Sequence, residues 1–341
     1  METWKRTVYI SLVCVFCTAF GVSQLAPILP LYFHDLGVQT PEAMSLWSGL
    51  ATGATYIIVC LAAPFWGRIA DKKGRKITLI RSSFGMALCN ILIAFQTTPE
   101  GVVLIRLVQG LVSGFYSASI TLIASESPIE RTGWALGLLA SANLAGSLIG
   151  PLLGGYIADT VGIRNDFIIV GALMGLAGVL ATIFIHENYV PQPNPEKLSI
   201  RKLKEQIPEF NSIVALCVAS FIYAICIMSL QPVISVYIKG IVPSDTENLA
   251  FIAGAVFSAM GIAQLMSSSP LGKLVDKIGP RKVLVVSLIY VGILNIPQAY
   301  VSDVYQLAII RFLQGFGLGG MLPALNLSLI HISEPTRQAE I

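Results

Sequence analysis

Long apolar segments recur along most of this 341-residue chain. A helix needs about 20 apolar residues to cross the hydrocarbon core of a bilayer. Ten segments approach or exceed that length, with loose boundaries at 7–33, 45–66, 77–96, 102–125, 134–157, 166–185, 211–238, 249–271, 283–301 and 305–330. Charged residues make up only 12% of the chain, against about 25% in soluble domains. The pattern predicts an all-α polytopic membrane protein.

Basic residues concentrate in one alternate set of the connecting segments. The sparse set of connecting segments holds only two basic residues, Arg164 and Lys239. The first set holds seventeen: Lys5, Arg6, Arg68, Lys72, Lys73, Arg75, Lys76, Arg81, Arg131, Lys197, Arg201, Lys202, Lys204, Lys273, Lys277, Arg281 and Lys282. Lys and Arg are enriched in cytoplasmic loops. We therefore expect a plasma-membrane protein with its N-terminus and the loop after segment 6 in the cytoplasm. Cations in short loops do not indicate a nucleic-acid partner.

A shift of 205 residues superimposes the sequence on itself without gaps. Gly67, Asp71, Gly74, Lys76, Arg106, Gln109, Gly110 and Gly114 meet Gly272, Asp276, Gly279, Arg281, Arg311, Gln314, Gly315 and Gly319. The same residue types in the same order indicate two related units, as in transporters built from parallel repeats. We predict a six-helix bundle at 1–185, a cytoplasmic central loop at 186–210 and a partial bundle at 211–330.

The second unit has four predicted helices where the first has six. By the same offset, Ile341 corresponds to Leu136 at the start of the fifth helix. We therefore expect the parent protein to carry two more helices, roughly 60–70 residues with their connections. The polar end 331–341, HISEPTRQAEI, continues no repeat motif and is expected to be a foreign tail.

Three motifs resemble those of the major facilitator superfamily, and the resemblance covers essentially residues 1–330. GRIADKKGRK (67–76) is similar to the family's loop signature between helices 2 and 3, and RLVQGLVSG (106–114) to its helix 4 signature. GSLIGPLLGG (146–155) resembles the helix 5 signature of the drug–proton antiporter branch. The resemblance implies two pseudo-symmetric six-helix bundles and transport by alternating access. We expect no cofactor.

The charged loop after segment 2 is predicted to be a gate. Membrane orientation alone explains its cations, but not the Gly–Asp–Gly spacing that both copies share; the glycines permit a tight turn. The resemblance implies that this loop latches the two halves on the cytoplasmic side. The candidate gating residues are Gly67, Asp71, Gly74, Arg75, Lys76, Gly272, Asp276, Gly279 and Arg281.

Arg106 and Arg311 lie a few residues inside apolar helices, where a charge costs at least about 2.5 kcal/mol at the membrane centre. Snorkelling to the outer interface is one explanation; recurrence in a shared R-x-x-Q-G frame favours a cavity or a partner. The resemblance implies that Arg106 assists proton coupling or holds a cross-helix network. For Arg311, a purely structural role agrees with the sequence equally well.

Asp35 and Glu126 are candidate proton carriers or solvated helix ends, and we place no acid in mid-membrane.

Small and polar residues complete the candidate set. Gly146, Gly150 and Gly154 recur every four residues and predict one smooth helix face. Pro151 invites a bend, and with Gly155 this face is implied by the resemblance to seal the cavity against ion leak. Ten polar residues could line a mostly apolar cavity suited to amphiphilic drugs, or could be helix contacts. They are Gln24, Tyr32, Asn90, Tyr116, Asn143, Tyr223, Gln231, Gln264, Asn295 and Asn326.

The leading prediction is a monomeric secondary exporter of amphiphilic drugs, driven by inward proton flow. The sequence has no G-x-x-x-x-G-K-[ST] motif for ATP hydrolysis. No set of nucleophile, base or metal ligands converges, so neither an enzyme nor a metal site is expected. The alternatives are a carrier for a specific metabolite, in uptake or efflux, and a non-transporting membrane protein.

Overall fold

The structure is a computed structural model that describes residues 3–187, 227–243 and 246–321, together with 214, 217–218, 221–222, 224–225 and 324. The regular elements of these residues are α-helices. They are α1 (Thr3–Ser23), α2 (Leu25–Asp35), α3 (Pro41–Lys73), α4 (Arg75–Ala94), α5 (Pro99–Val112), α6 (Phe115–Glu126), α7 (Ile129–Val161), α8 (Ile163–Phe184), α9 (Gln231–Ile241), α10 (Leu249–Ile278), α11 (Pro280–Gln298) and α12 (Val304–Gly319). Eight spans in this described part are long and apolar enough to cross a membrane, which confirms the all-α polytopic prediction.

Two predicted segments are each divided into two helices. Segment 7–33 breaks at Gln24, between α1 and α2. Pro27 lies four residues after Ser23 and has no N–H to give to that carbonyl, so the helix is interrupted there. Segment 102–125 breaks at Gly114, whose φ of +112° is left-handed and therefore favours glycine.

Helices α3 and α7 are longer than a bilayer requires, at 33 residues each. At 1.5 Å per residue this is roughly 50 Å, so each helix extends beyond a hydrocarbon core of about 30 Å. The predicted loop after segment 2 is consequently wrong over most of its length. Gly67 to Lys73 continue α3, and the turn itself is the single residue Gly74. Hydropathy reports where apolar character ends, and a helix can continue past that point into water.

The contacts divide the chain into two compact units. The first contains α1–α8, α9 from Pro232 and α10 up to Ala255; α1 packs along α7, α4 along α8 and α3 along α5. The second contains the rest of α10 with α11 and α12, which pack on each other around Val291 and Leu318.

Some sequence predictions lie outside the described residues. They concern Tyr223, Asn326, the central loop from residue 188 to 210, the tail at 331–341 and the side chain of Asp276. The proposed boundaries of the two bundles at 185 and 211 remain a prediction.

Candidate transport site

The turn between α3 and α4 is held by a carboxylate from a distant part of the chain. The backbone N–H groups of Arg75 and Lys76 donate to the two carboxylate oxygens of Glu187, at 2.7 and 2.8 Å. The first N–H groups of a helix have no partner within it, so Glu187 supplies the acceptors that the start of α4 lacks. Sequence reasoning missed Glu187 because more than a hundred residues separate it from the turn.

Gly74 is required at this turn for two reasons. Its φ is +92°, and a Cβ placed on it would lie 2.6 Å from Oε2 of Glu187. The repeat reproduces the backbone: Gly279 has φ +88° between α10 and α11. A Cβ on Gly279 would meet nothing within 4 Å among the residues described, and Arg281 follows it as an exposed side chain. Gly272, like Gly67, lies inside a helix.

A cavity of about 350 Å³ lies beside this turn, among α3, α4, α5 and α6. The guanidinium of Arg81 stacks 3.5 Å from the centroid of the Trp66 ring. It donates to the carbonyls of Leu111 and Ser113, and the indole N–H also donates to Leu111. The pair therefore satisfies carbonyls at the end of α5. The lining includes the predicted gating residues Gly67, Asp71 and Arg75.

Arg106 is buried in the contact between α3 and α5, with 6% of its surface exposed. Its Nη1 donates to Gln109 Oε1 at 2.6 Å, and the hydroxyl of Thr55 donates to the Arg106 carbonyl. A Cβ on Gly110 would lie 2.5 Å from the Thr55 carbonyl oxygen, so the helices touch here because the residue is glycine. The burial argues against snorkelling to the membrane surface.

The second unit repeats this arrangement at Arg311, which is 4% exposed. Its Nη1 donates to Gln314 Oε1 at 3.3 Å. A Cβ on Gly315 would clash with the carbonyl of Met260, which is the residue 205 positions after Thr55. Gln314 in turn donates to Asn295 at 2.9 Å. The sequence repeat is therefore also a repeat of helix packing.

The glycine face of α7 packs on α1. A Cβ on Gly146 or on Gly150 would lie 2.5 Å from the carbonyl oxygens of Phe16 and Phe20, respectively. One turn further, a Cβ on Gly154 would clash with the side chain of Gln24. The predicted smooth face thus lets two helix backbones approach closely.

A neighbouring face of α7 packs on the start of α10. A Cβ on Gly155 would clash with the Ala250 carbonyl, and one on Gly254 with the carbonyl of Pro151. The carboxylate of Asp159 accepts hydrogen bonds from the N–H groups of Ala250 and its successor, at 3.1 and 2.7 Å. Sequence reasoning did not select Asp159, because nothing local indicates that it caps a helix some ninety residues away.

Acidic residues divide into exposed and buried ones. Asp35 is exposed, 3.8 Å from the ring nitrogen of His34, and Glu126 is partly buried at the end of α6. Asp166 is fully buried in the first turn of α8, where its Oδ2 accepts from Gln24 Nε2 at 3.1 Å. The predicted segment began at residue 166 and so treated Asp166 as a segment edge; α8 begins at Ile163. Asp166 is therefore a buried acid at a helix end that the sequence candidates did not include, and the expectation of no acid in mid-membrane stays a prediction.

The remaining polar candidates occupy different environments. Tyr32 and Asn90 are fully buried helix contacts: the Tyr32 hydroxyl donates to the Ile93 carbonyl at 2.7 Å, and the Asn90 amide to Met86 at 3.0 Å. The half-buried ones are Tyr116, Asn143, Gln231, Gln264 and Asn295. Their role as cavity lining stays a prediction.

Two units that repeat one glycine turn and one buried Arg–Gln pair, on helices long enough to span a bilayer, define a duplicated secondary transporter. The chain belongs to the Major Facilitator Superfamily, whose profile matches residues 11–242 and 216–340.

Similar proteins include two bacterial ones named Multidrug resistance protein MdtG. The protein from Salmonella dublin is 38% identical over 330 residues, covering 97% of this chain and 81% of the relative. The one from Dickeya zeae is 39% identical over the same lengths.

Solved structures share the fold at low identity. A bacterial homologue of the human lysosomal transporter Spinster, inward-facing and occupied, superimposes with a TM-score of 0.72 at 13% identity, covering 98% of this chain and 79% of that one. The human organic anion transporter MFSD10 (TETRAN) superimposes with a TM-score of 0.69 at 15% identity, covering 97% of this chain and 86% of that one.

Proposed function

We propose that the protein exports amphiphilic drugs in exchange for protons by alternating access. The observation that carries this proposal is the relationship to the Salmonella and Dickeya multidrug resistance proteins, at 38% and 39% identity over 97% of the chain. The glycines of α7 support it, because they let one face of the helix pack tightly on α1 and a neighbouring face on α10, where bulkier side chains would separate the helices.

The basic residues support an orientation with the N-terminus and the central loop in the cytoplasm of a monomer in the plasma membrane. In that orientation the Gly74 turn, the Glu187 carboxylate and the 350 Å³ cavity lie on the cytoplasmic side. We assign this region to gating: Asp71 and Arg75 line the cavity, so opening and closing of the gate changes their surroundings.

The buried arginines support a role for Arg106 in coupling. Its Nε is buried without a hydrogen-bond partner among the described residues, so it offers a donor to an acid or a substrate once the helices rearrange; Nε and Nη2 of Arg311 share this property. Arg311 is tied into a longer amide network through Gln314 and Asn295, which suits it to holding helices together.

The test is efflux of the fluorescent cation ethidium from cells that express the protein. A potential of 100 mV contributes about 2.3 kcal/mol per charge, and the pH gradient adds to it. Collapse of the proton gradient should abolish efflux, and Asp71→Asn should slow it while membrane insertion stays normal. Ethidium retention that does not change with expression would reject drug export, and wild-type rates for Asp71→Asn would reject the gating role.

A further inference from the structure

A buried carboxylate and a buried amide meet where α1, α2, α7 and α8 come together. Asp166 and Gln24 are each fully buried, and the Gln24 Nε2 donates to Asp166 Oδ2 at 3.1 Å. The site lies at the start of α8, whereas Glu187 and the Gly74 turn lie beyond the other end of that helix.

The pair lacks a hydrogen-bond donor. Oδ1 of Asp166 and Oε1 of Gln24 are both buried and have no partner within the described part of the chain. An ionised carboxylate only accepts hydrogen bonds, so the ionised form leaves both oxygens unsatisfied. A protonated carboxyl brings one O–H donor to this place. Buried polar atoms are nearly always paired, which favours the protonated form in this closed arrangement.

The charged and polar groups that packed helices bring towards this end are engaged elsewhere. On α8, Arg164 donates to the Gln96 carbonyl; on α7, Asp159 accepts from the start of α10. On α2, the Tyr32 hydroxyl donates to α4, and on α4 the Asn90 amide donates to Met86. The cations of α1 lie at its opposite end, where Arg6 reaches the Phe184 carbonyl. No hydrogen bond or ion pair of the described residues supplies Asp166 with a compensating cation.

We propose that Asp166 is the proton-binding residue of the exchange cycle, with Gln24 as the residue that positions it. This rests on the proposed function. Asp166 takes up one proton from water on one side, as an Oδ1–H or Oδ2–H bond, and remains neutral while it is enclosed. When the helices rearrange, the proton returns to water on the other side.

The location explains how proton binding can act on the helix packing. Gln24 stands at the break between α1 and α2, and the absence of a side chain at Gly154 on α7 leaves the space that it fills. Loss of the proton places an uncompensated charge at this contact. That charge favours an arrangement in which water reaches it, so the proton shifts the population between two packings of α1, α7 and α8.

The experiment uses the purified protein in proteoliposomes, with ethidium as substrate. Exchange of ethidium without a pH gradient reports binding and alternation, and gradient-driven accumulation reports coupling. Asp166→Asn, which mimics the neutral carboxyl, should keep exchange within about twofold of wild type and lose gradient-driven accumulation by more than tenfold. The matched control is Glu42→Gln, an exposed acid in the first turn of α3, and it should retain both activities.

A second variant covers the case in which Asp166→Asn does not fold. Gln24→Leu removes both the N–H that the ionised carboxylate accepts and the Oε1 to which the protonated carboxyl can donate, so the pH midpoint of gradient-driven transport should shift by about one unit. Wild-type accumulation by folded Asp166→Asn, its loss of both activities while folded, or an unchanged midpoint in Gln24→Leu would each overturn the assignment. If the wild-type protein itself fails to exchange ethidium or to respond to the gradient, the proposed function fails instead.

Discussion

Replacing Gly74 by alanine tests how the start of α4 is held. Gly74 has φ +92° and ψ 159°, a region essentially reserved for glycine, so a side chain costs ~1–3 kcal/mol in backbone strain. The new Cβ would also lie 2.6 Å from Oε2 of Glu187, and the carboxylate must move away from the N–H groups of Arg75 and Lys76. Loss of such a helix cap costs a further ~1–2 kcal/mol.

The repeat provides the matched control. Gly279 has almost the same backbone, with φ +88° and ψ 151°, but a Cβ on it would meet nothing within 4 Å in the described structure. Gly279→Ala should therefore carry the strain without the loss of a cap. The difference between the free energies that the two variants lose isolates the contribution of the Glu187 cap, expected at ~1–2 kcal/mol.

Hydrogen–deuterium exchange of the amides that begin α4 and α11 is the assay, because it reports local opening. Gly74→Ala loses the free energy of the cap in addition to the backbone strain. It should therefore accelerate exchange at the start of α4 by roughly 5- to 30-fold more than Gly279→Ala accelerates it at the start of α11. In a Glu187→Ala background the two variants should behave alike, since the cap is already absent. Equal acceleration in the wild-type background, or an excess that persists without Glu187, would refute the reasoning.

Three further predictions concern helix contacts and can be measured as thermal stability in detergent. Gly110→Ala forces α3 and α5 apart and should destabilise by ~1–3 kcal/mol, whereas Gly53→Ala, with open space around its Cβ, should not; equal melting temperatures would contradict this. Tyr32→Phe removes the hydroxyl that donates to Ile93 and should cost ~1 kcal/mol, and a gain in stability would count against that hydrogen bond. Arg81→Lys loses the stacking on the indole and should cost ~1 kcal/mol with altered tryptophan fluorescence, so an unchanged spectrum would argue against the stack.

Sequence reasoning predicted the helical membrane class and the duplication from features that need no partner. Apolar length and charge asymmetry are properties of each segment alone. The 205-residue offset links Gly110 with Gly315, and the packing agrees, because both glycines face a carbonyl of the equivalent residue in the neighbouring helix. Two helix backbones can approach closely only where a small residue lies between them. Such contact positions can therefore be predicted from the spacing of glycines in the sequence.

The site was less predictable, because it depends on which distant residues meet. Glu187 and Asp159 are carboxylates at ordinary positions in the sequence, and each serves the N–H groups of a helix ninety or more residues away. Asp166 is the first residue of the predicted segment 166–185, and only the packing of α8 on its neighbours buries it beside Gln24. Hydropathy averages over a window and does not tell which single side chain faces protein, lipid or water.

By itself, the sequence determined that this protein is a duplicated bundle of membrane-length helices with glycines at its turns and contacts. Backbone hydrogen bonds must be satisfied within each helix in a bilayer, so composition and spacing suffice for that conclusion. The tertiary structure decided that α3 continues to Lys73, that Glu187 holds the turn at Gly74, and that Gln24 meets Asp166 in a buried contact. Those outcomes depend on the placement of whole helices against one another, and the burial of a charge or the capping of a helix exists only once that placement is made.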